Sequence, residues 1–189
     1  VSAMIGDYAN VQVANNLRPT LETEQLDDTV RLITELYEDL KISDLPGVQE
    51  LRDWSRYPVL PTAHAFGGIC HYFAALQQQS VLGVDLGSNS VSLVMATPDH
   101  THLSIHSEIG AGHPVTALLD KVSVDEVRQW VPTELSVADT ADYIFHKSLH
   151  PFTIPTDEKM LQLEQAVARS LIRCAASATG TDAQWPILD

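Results

Sequence analysis

In "VLGVDLGSNSVSLVMA", residues 81–96, an apolar run ends in Asp85, Gly87, Ser88, Asn89 and Ser90 before a second apolar run begins. An acidic residue at a strand end, followed by glycine and short polar side chains, suits a backbone loop that holds phosphate. Consecutive N–H groups can line an anion without any side-chain cation. The same residues also read as a plain hairpin turn that happens to contain Asp and Gly. What the rest of the chain supplies decides between the two.

The histidines offer a weaker chemistry. His102 and His106 fall on one side of the alternating segment "THLSIHSEIG", but they lie about 13 Å apart at ~3.3 Å per residue. That is too far for one Zn²⁺, whose bonds to nitrogen are ~2.0–2.1 Å. His100 and His102 could reach one ion, yet no thiolate or carboxylate set nearby completes a site. The 102–106 side therefore reads as a solvated strand face. His64 and His71 are two helical turns apart, and His146 and His150 stand at i, i+4 without the Glu of a zinc-protease helix.

Composition narrows the class. The chain has 189 residues, of which 44% are hydrophobic, enough for one full core. Asp and Glu number 25 against 11 Lys and Arg, a formal charge of −14. Such a surface repels nucleic-acid phosphates and anionic lipid, so neither is an expected partner. No apolar run approaches the ~18–20 residues of a membrane span, and no signal peptide is evident. Cys70 and Cys174 lie far apart in helical segments and read as buried thiols of a cytoplasmic protein. The chain opens "VSAMIGDYAN" without an initiating Met, so a piece of a longer protein is expected.

The elements that must position the loop follow from periodicity. Val11 to Val13 reads as a short strand. In "TEQLDDTVRLITELYEDLKI", Leu26, Val30, Ile33, Leu36 or Tyr37 and Leu40 keep helical spacing. Thr20 or Thr23 could cap that helix, with Glu24, Asp27 and Asp28 against its dipole. Pro46, Pro58 and Pro61 leave a short helix near 47–55 and a loop after it. "AHAFGGICHYFAAL" then reads as a helix whose Gly67-Gly68 pair permits close packing. The 81–96 hairpin and the 101–109 strand follow, with helices beyond. Ser123-x-x-Glu126 forms a capping box, Pro151 stops "VADTADYIFHKSLHP", and Met160, Leu163, Val167, Leu171 and Ile172 point inward on a long helix stopped by Gly180. Both faces of Val81–Leu86 are apolar, which implies a central strand.

Three antiparallel strands beginning D-x-G-[ST] and followed by helices resemble half of an actin-like ATPase, the ribonuclease-H-like unit shared with Hsp70 and sugar kinases. The order "VANNLRP", an amphipathic helix, "VLPTAHAFGGICHYFAAL" and "VLGVDLGSNSVSL" resembles the MutL/GlmL family. These are accessory proteins associated with adenosylcobalamin-dependent glutamate mutase, unrelated to the mismatch-repair protein also called MutL. "KSLHPFTIPTDEKMLQLEQAVAR" continues the likeness, which spans about residues 10–178. It implies an α/β fold, with residues 1–79 a helical segment before the phosphate hairpin and 80–189 a ribonuclease-H-like half with a helical C-terminal part. It further implies a segment of an ATPase-type chaperone or reactivase for a cobalamin-dependent mutase, using ATP and Mg²⁺ in the complete protein. The first phosphate loop is expected upstream of Val1 and the adenosine-binding segment downstream of Asp189, so this piece alone is expected to be inactive.

By the same resemblance, Asp85 would bind Mg²⁺ through water or orient the attacking water. Gly87 would let the backbone close on phosphate, with the N–H groups of Gly87, Ser88, Asn89 and Ser90 lining it. The family pattern is similar to D-V-G-G-A-T-T-D. Here Ser88 stands for its second glycine, Ser90 for its first Thr, Val91 for its second Thr and Ser92 for its closing Asp. "SEIGAG" at 107–112 replaces "GDLGMR", with Gly112 in place of Arg. A lost carboxylate and a lost cation imply weakened hydrolysis. A non-hydrolysing scaffold domain is the alternative, and a sugar- or acid-kinase relative the second.

Overall fold

The computed structural model describes residues 11–182 apart from 22, 38–39, 42–44, 58 and 132–133. Packing divides the chain into two units, Val1–Val59 and Leu60–Asp189. The first holds α1 (Asp27–Tyr37) and α2 (Val48–Trp54). Val11–Val13 forms no strand. Neither threonine caps α1: the Thr20 hydroxyl donates to that of Thr23 at 2.9 Å, and Asp28 instead accepts the Asn15 N–H at 2.9 Å. Pro58, one of the expected breaks, lies outside the described residues.

In the second unit β1 (Val81–Leu86), β2 (Val91–Ala96) and β3 (Thr101–His106) form one antiparallel sheet in that order. A three-stranded antiparallel sheet with helices is α/β and consistent with part of an actin-like fold. α3 (Thr62–Gln77) lies on one face, where Cys70 and Ala74 pack on Val94 and Ala96. The opposite face carries Val91 and Leu93, buried with Ile144, Val167 and Leu171. These last three come from α5 (Val137–Leu149) and α6 (Glu158–Asp182). A 3₁₀ helix (His113–Asp120) and α4 (Val124–Arg128) complete the layer through Val115, Leu118 and Val127. Adjacent residues of β2 thus feed two separate cores, as the alternation of a strand buried on both faces requires. The unit begins at Leu60 rather than at 80 because α3 packs on all three strands.

Several expectations change. The central strand is β2, fully buried, while β1 is an edge strand with Leu82 48% and Val84 39% exposed. Close packing of α3 on the sheet comes from Gly83, not from the Gly67-Gly68 pair. A Cβ at Gly83 would overlap Cys70 Sγ and lie 2.9 Å from Phe66 Cζ, whereas one at Gly68 would meet nothing within 4 Å. The 102–106 side of β3 is solvated only in part: His102 is exposed and Ser104 half-buried, but His106 is buried beneath α6, while Ile105 on the other side is half exposed. α6 runs past Gly180 to Asp182, and Met160 on its first turns is part-exposed rather than inward. Both cysteines are free, on helices that cover opposite faces of the sheet. Capping boxes occur at Ser123–Glu126, as expected, and also at Ser136–Asp139. Among the described residues no helix is long and apolar enough to cross a membrane.

Candidate phosphate-binding turn

Strand pairing runs to Leu86↔Val91, and the Gly87 N–H closes the turn by donating to the Ser90 carbonyl at 2.9 Å. Two of the other turn carbonyls accept from outside the turn. Ala111 N–H donates to the Gly87 carbonyl at 3.0 Å, and Gly112 N–H to that of Ser88 at 2.7 Å. The carbonyls of Gly87, Ser88 and Ser90 are therefore satisfied. Among the described residues, the N–H groups of Ser88, Asn89 and Ser90 donate to no protein acceptor, and no side chain of the turn takes them. Ser88 and Asn89 are exposed.

The segment after β3 holds this turn by backbone contact. A Cβ at Gly110 would lie 2.6 Å from the Ser88 carbonyl oxygen and 2.8 Å from Ser90 N. Only glycine fits there, because the obstacle is backbone that cannot move aside. At Gly112 a Cβ would overlap Ser88 Oγ and approach its carbonyl oxygen at 2.9 Å. Gly87 is less constrained, its nearest obstacle being Ser90 O at 3.1 Å. Gly110 was not singled out from the sequence; the signal available was the Gly-x-Gly spacing of "IGAG" one strand after the loop.

Asp85 is exposed and stands opposite Ser92 in the β1–β2 register, with Ile105 next in line on β3. This row lies on the α3 face. Val91, which replaces the second Thr of the family pattern, lies on the other face and is fully buried in the main core. A hydroxyl at 91 would therefore face away from Asp85. Ser92, which replaces the closing Asp, shares the face of Asp85, so that substitution is the one felt at the carboxylate. Free backbone donors on one turn are the chemistry that an anion-binding loop uses. Asp85 alone could serve Mg²⁺, and only through water, since no cluster of three or more potential ligands occurs among the described residues.

The histidines serve as contacts between elements where their partners are described. His106 Nε2 lies 3.1 Å from Ser104 Oγ and 2.8 Å from Thr179 Oγ1, and its Nδ1 lies 3.6 Å from Glu108. That order resembles a serine–histidine–acid relay. The ring is nevertheless buried under α6 with Nε2 shared between two hydroxyls, so it joins β3 to the helix. His71 Nδ1 likewise meets Thr101 Oγ1 at 3.0 Å, joining α3 to the sheet. The rings of His146 and His150 lie 4.9 Å apart, centroid to centroid, with no third ligand among the described residues.

A model of the family described as MutL protein matches residues 1–179. No curated protein matches the chain, and no solved structure matches it. The matched span takes in the hairpin, the "SEIGAG" segment and the helices that hold both. The chain therefore belongs to the MutL/GlmL family, the accessory proteins of glutamate mutase.

Proposed function

We propose that, in the complete protein, the 87–90 turn holds phosphate of ATP and that nucleotide binding, with slow hydrolysis, governs engagement of a cobalamin-dependent mutase in the cytoplasm. The observation that carries this reading is the set of three N–H groups at Ser88, Asn89 and Ser90 left without a protein acceptor in an exposed turn. Backbone donors attract phosphate irrespective of the −14 net charge. Bound Mg²⁺ would neutralise phosphate charge and polarise the bond to be broken. Asp85 is the carboxylate suited to hold its water shell, while Gly110 and Gly112 keep the turn open by leaving no side chain against it. A chaperone or reactivase cycle needs only that the ATP-bound form differ in affinity for the mutase. Ser92 opposite Asp85, and Gly112 where the family pattern has Arg, support slow chemistry.

The same two substitutions favour a second reading, a scaffold domain that binds no nucleotide. Titrating Mg·ATP into the complete protein, with any other nucleotide site silenced, separates the two. Binding that weakens at least about tenfold in Asp85→Ala/Gly87→Val supports the nucleotide reading. Equal binding, or none in the unaltered protein, leaves the scaffold.

A further inference from the structure

The segment "KSLHPFTIPTDEKM" touches Gly112 through Pro151 but gives the phosphate turn no hydrogen bond, and it is held by several bonds of its own. Lys147 is buried on α5 and donates to the Thr153 carbonyl at 2.7 Å and to Glu164 of α6 at 2.6 Å. Thr153 donates through both N–H and hydroxyl to the His150 carbonyl, at 3.1 and 2.8 Å. Ser148 and His113 exchange two further bonds, each at 2.8 Å. What this clamp displays is apolar: Leu149 is 74%, Phe152 92% and Ile154 79% exposed. Fixing large hydrophobic side chains in water lowers the entropy cost of binding them later and brings no folding gain. Beside the loop, between α5 and α6, lies a cleft of about 540 Å³. Its wall includes Ile154, Pro155, Met160 and Leu163, and its rim includes Asp139, Asp142 and Asp157 against one lysine, Lys159. Lys159 is already near Asp139 at 3.9 Å, and Asp157 accepts the Met160 N–H at 2.8 Å. The carboxylate of Asp142, exposed, has no ion pair or hydrogen bond among the described residues.

We propose that this loop and cleft form a docking surface for a partner protein's basic segment, in which an Arg or Lys enters the cleft and adjoining apolar side chains cover Phe152 and Ile154. The aliphatic stem of the cation lies on Met160 and Leu163, and its head meets Asp142. The acidic rim selects a cationic occupant, and two copies of a chain with formal charge −14 repel each other, which sets a second copy aside. The proposal does not depend on whether the 87–90 turn holds nucleotide.

The test is an amide chemical-shift titration of the full chain with a synthetic twelve-residue peptide carrying two arginines around a Leu-Leu pair. Two analogues, with Glu for Arg and with Ala for Leu, and an Asp99→Asn control variant complete the set. The expected result is perturbation centred on residues 139–163, weakened about tenfold by Asp142→Asn/Ile154→Ser and by either peptide change, and unaltered in the control. No binding, perturbation spread over the acidic surface, equal binding of the Glu peptide, or shifts that appear on concentrating the chain alone would each overturn the proposal.

Discussion

Ser88 and Gly112 share one volume: the Cβ that Gly112 lacks would overlap the Oγ of Ser88. Two positions that look independent along the chain are thus in direct contact in space. The backbone bond from Gly112 N–H to the Ser88 carbonyl keeps the two segments at that separation. Gly112→Ala should therefore cost about 1–3 kcal/mol by overpacking. In a Ser88→Gly background the part owed to Oγ should vanish, while that owed to the Ser88 carbonyl oxygen at 2.9 Å and Pro151 Cβ at 3.2 Å stays, a coupling of about 0.5–3 kcal/mol in a double-mutant denaturation cycle. Additive effects would mean that the two residues are not in contact.

The position of β1 at the sheet edge sets the response of its apolar residues. Val84, 39% exposed, should accept Asp at a loss of about 1 kcal/mol. Leu93 on β2, 1% exposed, should lose about 2–5 kcal/mol when cut to Ala. Thermal melts of the two variants check the order, and a larger loss at Val84 would contradict the edge placement.

The clamp on the 150–154 loop rests on a partly buried cation. Lys147→Ala would strand Glu164 and the Thr153 carbonyl, and should cost about 3–5 kcal/mol. Burial, then the negative charge of Glu164 and a hydrogen bond to it, push the Tyr143 phenol well above its usual value of 10.0. Its contribution is complete below that value and is lost as pH rises beyond it, because the unfolded chain ionises first. Tyrosinate absorbance should show one tyrosine that ionises only with unfolding, and Tyr143→Phe should abolish that step.

Acid acts on the two capping boxes. Hydrogen bonds from the Ser123 backbone and hydroxyl hold Glu126 below its ordinary 4.5, and those from Ser136 hold Asp139 below 3.8. Between the folded and unfolded values the unfolded chain binds more protons, so this stabilisation is full above about pH 4.5 and fades as pH falls. Glu126→Gln and Asp139→Asn should each flatten the acid limb of a stability–pH curve. An unchanged limb would show that the boxes are not formed in solution.

How much of this was legible in the sequence depended on whether a residue's role was local. Hairpin, capping box and helix spans follow from nearest-neighbour spacing, and they stand at or near the expected positions. Roles set by tertiary contact did not. His102, Ser104 and His106 alternate with apolar residues as a wet face would, yet α6 covers the end of that face and meets His106 through Thr179, 73 residues away. Val81–Leu86 is apolar on both sides, but apolarity does not say which strands flank it. At the turn, Asp85 and Gly87 were visible by type. Gly110 became visible only when its missing Cβ was set against the backbone of Ser88 and Ser90.

The central claim, that the 87–90 turn holds nucleotide phosphate, is tested most directly by amide hydrogen exchange in the complete protein with and without Mg·ATP. The account predicts slowed exchange at Ser88, Asn89 and Ser90, the three N–H groups without a protein acceptor, and loss of that slowing in Gly110→Ala, which pushes into the turn. Saturation with ATP that leaves those three amides unchanged would contradict it.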